Sequence, residues 1–319
     1  MPDVSIVIPT RNRSGMLAVA LRSALSQRQV DFEVIVVDDG SSDNTAAMVA
    51  ALSHPRVQLL RQEVSEGVSA ARNRGVAVAA GEWVAFLDDD DLWAPDKLVR
   101  QLEATTAARR GWVYAGDVNV DSHLRVLGGG PPPAPDQVVS SLEHYNAVPS
   151  GASNVVVRRD LLAAAGPFDP QLKTNEDWDM WIRLAGRGPP AWVCSPLVAY
   201  RVHPGNAALD PAPMITEPEI IAGRYGIRLD RAGNYRRAAW ACLRRGKRRA
   251  ALRYYGRAVA LGDLKSAARI VMMLAHPGGR SGDPFRLQST RSQSDEWVAE
   301  ARAWLEKVAP KSRANSGTL

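Results

Sequence analysis

Short aliphatic runs that stop abruptly at carboxylates constrain this chain more than any other feature. Val4 to Ile8, Glu33 to Val37, Val57 to Leu60 and Trp83 to Leu87 are mostly β-branched or aliphatic, the pattern of strands buried on both faces of a parallel sheet. Helical patterns lie between them. Met16, Leu17, Ala20, Leu21, Ala24 and Leu25 form one apolar stripe behind Ser14, a candidate cap, and Ser42 is placed to cap a second helix through Thr45 and Val49. Pro95 suits the first turn of a third helix carrying Leu98 and Leu102. Strands alternating with helices predict an α/β fold, a doubly wound and mostly parallel sheet with right-handed crossovers. Ligands then bind beyond the carboxyl ends of the strands. Those ends are Pro9-Thr10-Arg11-Asn12, Asp38-Asp39-Gly40-Ser41-Ser42-Asp43 and Asp88-Asp89-Asp90-Asp91, so two carboxylate clusters are expected on one edge.

Charge divides the chain the same way. The net charge is +6, yet residues 225–319 carry 20 Lys/Arg against 7 Asp/Glu, which leaves residues 1–224 acidic. An acidic front suits a cation, and a basic back suits an anionic lipid surface or another acidic partner. Nucleic acid is not expected, because aromatic interleaving in the basic part is limited to Trp240, Tyr254 and Tyr255. The 2 cysteines, Cys194 and Cys242, are far apart and lack metal-ligand spacing, which disfavours a disulfide framework or zinc and favours a reducing compartment. No secretory h-region precedes Val4, and the apolar stretch from Ile270 to Ala275 is far short of the ~20 residues that cross a bilayer. A cytoplasmic protein is the expectation, either soluble or peripheral at the inner face of the cell membrane.

Four constellations carry chemistry. Asp88 to Asp91, directly after an apolar strand, would repel one another unless a cation or hydrogen-bond donors compensate, and oxygen ligands suit Mg²⁺ or Mn²⁺ bridging phosphates. Asp38 to Asp43 reads alone as a strand-to-helix turn; beside the first cluster, a carboxylate there can accept the imide N–H of a uracil-type base. In Asn175-Glu176-Asp177-Trp178-Asp179-Met180-Trp181 the tryptophans share helical spacing with Leu184 and read as core, while Glu176 and Asp177 sit where acids merely complement a helix dipole or do chemistry. His203, in Tyr200-Arg201-Val202-His203-Pro204-Gly205-Asn206, is either structural or a contact to a metal or diphosphate. The run from Gly128 to Pro135, GGGPPPAP, reads as a flexible excursion that continues neither helix nor sheet.

In this order, VSIVIPTRNR, FEVIVVDDGSSDNT, GVSAARNRG, GEWVAFLDDDDLWAPDKL, SNVVVRRDLL with GPFD, NEDWDMWIRLA and YRVHPGN resemble the blocks of family 2 of the glycosyltransferases, over residues 4–206. The resemblance implies the GT-A fold and a metal-dependent, inverting transfer from a nucleotide-diphosphate sugar, UDP-linked by preference, to an acceptor hydroxyl. That acceptor would be a glycan, a glycolipid or a small molecule, in cell-surface polysaccharide, glycolipid or glycoconjugate synthesis. It implies that Pro9, Thr10 and Arg11 line the base pocket, with Asp39 accepting from the base. Arg72 approaches the nucleotide or diphosphate, Asp88 and Asp89 lie near ribose and sugar, and Asp90 binds the metal with His203 as a further metal or diphosphate contact. The acceptor base is Asp177, with Glu176 second. Arg11 stands where the family often has an aromatic residue, so a guanidinium contact replaces stacking.

The expected division is a GT-A domain over 1–224, with 1–110 binding the donor and 111–224 the acceptor. A basic helical region follows over 225–309, helical-repeat-like with breaks at Gly246 and Gly262, and then a disordered tail over 310–319. Two other activities fit less well. A nucleotidyltransferase needs a Gly-rich, Lys-bearing phosphate loop after the first strand, where only Arg11 and Arg13 are basic, and a non-catalytic sugar-nucleotide scaffold has no use for so complete a set of acids.

Overall fold

Alternation along the first strands decides how the layers stack. In β1 (Val4–Thr10), Val4, Ile6 and Ile8 enter one core cluster and Val7 another, and β2 (Phe32–Asp39) divides likewise, with Val34 and Val36 opposed to Ile35 and Val37. A strand that is apolar on both faces needs helices on both. The computed structural model, which describes residues 1–206, 210–275 and 295–309, supplies them. On one face α1 (Ser14–Leu25), α2 (Thr45–Leu52) and α4 (Lys97–Ala108) bury Leu17, Leu21, Val49 and Leu98. On the other lie α3 (Val68–Val78), α5 (Pro135–Ser141), α6 (Arg159–Ala165), α7 (Glu176–Ala185) and α8 (Pro213–Tyr225). Trp178 and Trp181 of α7 are core residues, as their spacing predicts, and Trp181 stacks on Trp112 with ring centroids 6.1 Å apart.

Between these layers runs one sheet. Its remaining strands are β3 (Val57–Gln62), β4 (Trp83–Phe86), β5 (Leu92–Trp93), β6 (Trp112–Val120), β7 (Val126–Gly130), β8 (Val156–Arg158) and β9 (Ala191–Arg201), in the order β3-β2-β1-β4-β8-β6-β9-β5 with β7 on β6. Strands β3, β2, β1 and β4 are mutually parallel, so their carboxyl ends share one edge. The second half is mixed: β8 runs antiparallel to β4 and β6, while β6 and β9 are parallel. This is the expected doubly wound α/β architecture with added antiparallel strands.

Three local expectations are corrected. Gly128 to Gly130 continue the sheet as β7, paired with Asn119, Val118 and Asp117. The glycines permit this because a Cβ on Gly129 would meet the Asp117 carbonyl oxygen at 2.5 Å; the run is a close backbone approach, and α5 begins at Pro135. Ser14 opens α1 without capping it, the N-cap being Arg13. At α2 it is Asp43, not Ser42, whose carboxylate accepts from the Thr45 N–H, at 2.9 Å.

The basic helices follow their predicted breaks. Helices α9 (Arg231–Arg244), α10 (Arg248–Ala260) and α11 (Leu264–Ala275) are separated by Gly246 and Gly262, both at positive φ, where glycine ends a helix without strain. They pack mainly on one another through Ala239, Cys242, Ala251, Tyr255 and Met273. The last helix, α12 (Asp295–Val308), instead lies against β7 and β9, its Trp297 and Trp304 indoles donating to the carbonyls of Asp117 and Pro196. The expected tail over 310–319 lies outside the described residues.

Candidate active site

The parallel register delivers the acids to one place. Thr10, the last residue of β1, pairs with Asp38 of β2 on one side, and on the other its hydroxyl donates to Asp89 Oδ2 at 2.7 Å. The two carboxylate clusters therefore flank the tip of β1 on the same sheet edge. Asn12, at φ 54°, turns the chain there, and its side-chain oxygen accepts from the Ser42 N–H at 2.8 Å, tying the two tips together.

That turn decides which arginine enters. Arg11 is exposed and makes no ion pair among the described residues, whereas Arg13 reaches Asp89 Oδ1 at 2.9 Å, Asp90 Oδ2 at 2.8 Å and the Gly205 carbonyl at 2.7 Å. Arg13 is thus a site residue that motif reading overlooked; its only signal was a second basic residue two positions after the strand end.

Each acid of the Asp88–Asp91 run has its own environment. Asp88 accepts from Arg72 at 2.6 Å, and its N–H donates to the Ser153 hydroxyl at 3.0 Å. Burial together with the charge of Asp90 raises Asp89 to about 6, against the pull of Arg13 and Thr10. For Asp90 burial again opposes ionisation, but the His203 hydrogen bond and the Arg13 charge win and hold it below the usual range. Asp91 is wholly buried, one oxygen accepting from the Arg201 N–H and the other lacking a hydrogen-bond partner among the described residues, so burial pushes it well up. It anchors β9 to the cluster.

His203 Nε2 lies 2.9 Å from Asp90 Oδ2, while its Nδ1 accepts from the Gly205 N–H at 3.1 Å. An accepting Nδ1 leaves the proton of the neutral ring on Nε2, so His203 donates to Asp90 and orients it. Ligation of an ion through Nε2 requires the Gly205 contact to break first. Both cationic and imidazole contacts of Asp90 fall on Oδ2, which leaves Oδ1 for a cation. Among the described residues no group of three His, Cys, Asp or Glu side chains is gathered around an ion position. Mg²⁺ or Mn²⁺ needs no such group: one or two carboxylates, water and substrate phosphates complete the usual octahedron, so Asp90 fits the role, while His203, its one N–H given to Asp90, serves as it stands to orient that carboxylate.

Arg72 connects the two halves. It is buried on α3, and its other amino group reaches Glu176 Oε1 at 2.5 Å, so one guanidinium joins the Asp88 loop to the start of α7. Burial lowers the guanidinium's affinity for its proton, but the charges of Asp88 and Glu176 more than offset this. Glu176 is raised by burial in spite of Arg72. Its neighbour Asp177 is only partly covered; burial and then the Glu176 charge raise it to about 7. Asp177 accepts from the Asn146 amide at 2.8 Å and from the Trp178 N–H at 2.7 Å. A Cβ on Gly151 would stand 2.6 Å from its Oδ2, so that glycine keeps the carboxylate unobstructed. Asp179, the third acid of the block, is structural, held by Arg183, Arg224 and Tyr225.

One further residue shapes the site without having signalled itself. Glu217 of α8 accepts from the backbone N–H groups of Lys173, Thr174 and Asn175, fixing the approach to α7. Asp39 accepts from the Ser65 hydroxyl and the N–H groups of Glu66 and Gly67, at 2.7, 2.8 and 3.0 Å, so its carboxylate shapes the β3–α3 turn and has little capacity left for a base. Pro9, one residue before the end of the fully buried β1, pairs with Val37 of β2. A cavity of about 360 Å³ lined by Trp83, Arg109, Arg110, Arg158 and Arg187 lies at the opposite end of β4 and shares none of these residues.

The family model for glycosyl transferase family 2 matches residues 5–125. The UDP-Glc:alpha-D-GlcNAc-diphosphoundecaprenol beta-1,3-glucosyltransferase WfgD of Escherichia coli is 30% identical over 181 residues, 57% of this chain and 69% of that protein. The chain belongs to family 2 of the glycosyltransferases. This glycosyltransferase is also 44% identical to the succinoglycan biosynthesis protein ExoO of Rhizobium meliloti, over 108 residues that span 34% of this chain and only 31% of ExoO. Among solved structures, S. aureus TarS 1–349 in complex with UDP-GlcNAc superposes with a TM-score of 0.57 at 20% identity, covering 76% of this chain and 72% of that one. The mannosyltransferase PcManGT from Pyrobaculum calidifontis, in complex with GDP-Man and Mn2+, gives 0.53 at 19% identity over 95% and 86%. At these identities the two structures establish the GT-A fold.

Proposed function

We propose that this glycosyltransferase moves a sugar, with inversion, from a UDP-sugar to a hydroxyl of a lipid-linked or polysaccharide acceptor, using a divalent ion. The observation that carries the reading is the Arg72 bridge, because it sets Asp177, with a proton affinity near neutrality, beside the strand-tip acids. Pro9, Thr10 and the exposed Arg11 would line the base pocket, and the remaining acceptor capacity of Asp39 would face the base. Asp88 and Asp89 would contact ribose and sugar. Arg13 would exchange its carboxylate partners for the diphosphate when donor enters.

Chemistry follows from the two sides of this pocket. The acceptor hydroxyl loses its proton to an Asp177 oxygen as its own oxygen bonds to the anomeric carbon, and the bond from that carbon to the diphosphate breaks with the electron pair leaving on the diphosphate. Glu176, locked to Arg72, would hold that guanidinium in place and is the weaker base candidate. A divalent ion at Asp90 would supply charge neutralisation for the leaving diphosphate. Attack opposite the leaving group gives inversion.

The relatives support the substrate class. WfgD uses UDP-Glc and a diphosphoundecaprenol-linked acceptor, ExoO serves succinoglycan synthesis, and the TarS complex holds UDP-GlcNAc. Mn2+ in the PcManGT complex supports the ion. The basic helices α9–α11 would bring the enzyme to an anionic membrane, where such acceptors reside. The test is release of UDP from UDP-glucose and UDP-GlcNAc in Mn²⁺, with a panel of acceptors: turnover lost in both Asp90→Ala and Asp177→Asn is the expected result, and full activity in both variants overturns the reading.

A further inference from the structure

Helix α11 ends the packed run α9–α11 with an apolar face turned to water. Leu264, Ala268, Val271 and Ala275, at i, i+4, i+7 and i+11, are all exposed, and Leu274 borders them. The side chains are open rather than grazing: Leu264 is 82% exposed, Val271 65% and Leu274 64%. Only Lys265 interrupts this side with a charge, at its margin, while Ser266 and Met273 occupy the opposite, packed side. Scattered exposed hydrophobics need no explanation, but a continuous helical stripe of them does.

Charge says what covers it. Residues 225–275 hold 13 Lys/Arg and two Asp/Glu, and Arg244, Lys247, Arg249, Arg253 and Arg257 are exposed. A protein partner for such a surface needs a matching acidic and apolar patch; an anionic bilayer offers both together, headgroup charge outside and acyl chains beneath. A helix with an exposed apolar side in so basic a segment has the build of an element lying in the plane of that interface. No helix among the described residues is long and apolar enough to cross.

We propose that α11 is an in-plane membrane helix: its Leu264–Ala268–Val271–Leu274 face enters the acyl boundary of an anionic bilayer while exposed Lys and Arg residues of the α9–α11 segment hold headgroups. The proposal deepens the membrane-facing part of the proposed function and rests on it. It also gives that part a direction, since the insertion element is separate from the strand-tip acids.

The experiment is flotation of the full chain with phosphatidylcholine vesicles, with and without phosphatidylglycerol. Wild type should float only with the anionic vesicles. The neutral double variant Leu264→Ser/Val271→Ser, which leaves every charge in place, should lose binding by about tenfold or more if apolar insertion contributes as expected. Both positions are exposed, and an unchanged melting temperature checks the fold. Undiminished flotation of the double variant overturns the proposal, as does equal flotation with neutral vesicles. If the variant changes the sedimentation mass while flotation stays the same, the face belongs to a second copy, and the proposal fails. UDP release to a soluble acceptor is measured in the same samples. Lost flotation with retained UDP release supports α11 as the anchor, and flotation without any UDP release in wild type removes the transferase reading alone.

Discussion

The strand-tip edge and the α9–α11 helices hold charge in opposite ways. At the edge Asp38, Asp39, Asp89, Asp90, Asp91 and Arg72 are withdrawn from water, and the different partners of Asp89, Asp90 and Asp91 give these three carboxylates distinct proton affinities. On α10 and the turn before it Lys247, Arg249, Arg253 and Arg257 face solvent. Burial with incomplete pairing makes a chemically differentiated site; exposure makes a field that acts on whatever lies opposite. The proposed roles follow this division: charged side chains do chemistry in one region and attach the protein to a surface in the other.

The contrast breaks if substitutions in the two regions have similar consequences. The largest difference is expected at Asp177: changing it to Asn should lower transfer about 10²–10⁴-fold, the usual contribution of a positioned base, as measured by UDP release at saturating donor. Next comes Arg72→Ala, which strands Asp88 and Glu176 without their cation; a buried pair broken from one side costs about 3–5 kcal/mol, readable by urea denaturation. Gly151→Ala places a methyl group against Asp177 and forces a left-handed backbone on alanine, and should cost about 1–2 kcal/mol of stability together with a fall in kcat. Arg253→Gln on α10 should change stability by no more than about 0.5 kcal/mol.

The proton affinity of Asp177 sharpens the same comparison. Because the folded-state value, about 7, lies above the ordinary 3.8, the folded protein loses stability as pH rises between those values, while activity grows as the base ionises. Transfer should rise with pH through about 7 and then level, and Asp177→Asn should be flat across that range. At pH 8 the same variant should melt roughly 2–4 °C higher than wild type, and at pH 4 the two should converge.

Sequence patterning revealed the architecture because burial on two faces leaves a periodic trace in β1 and β2, and it revealed the acids because strands in parallel must end on one edge. Individual side-chain directions left no such trace. Arg11 and Arg13 are equivalent as composition; the left-handed turn at Asn12 chooses between them, and that depends on Asn12 meeting the Ser42 N–H across 30 residues. Gly128 to Gly130 resembled a break because glycine disfavours isolated strands, yet the partner backbone of β6 needs its absent side chains. Glu217 was silent because its partners are backbone N–H groups more than 40 residues away, which carry no sequence identity.

The most direct test of the shared pocket is calorimetric titration of UDP into wild type, Asp90→Ala and Asp177→Asn, each in Mn²⁺ and in chelator. One assembled donor site predicts Mn²⁺-dependent binding in wild type, its loss in Asp90→Ala and its retention in Asp177→Asn. UDP binding to Asp90→Ala as tight as to wild type would contradict it.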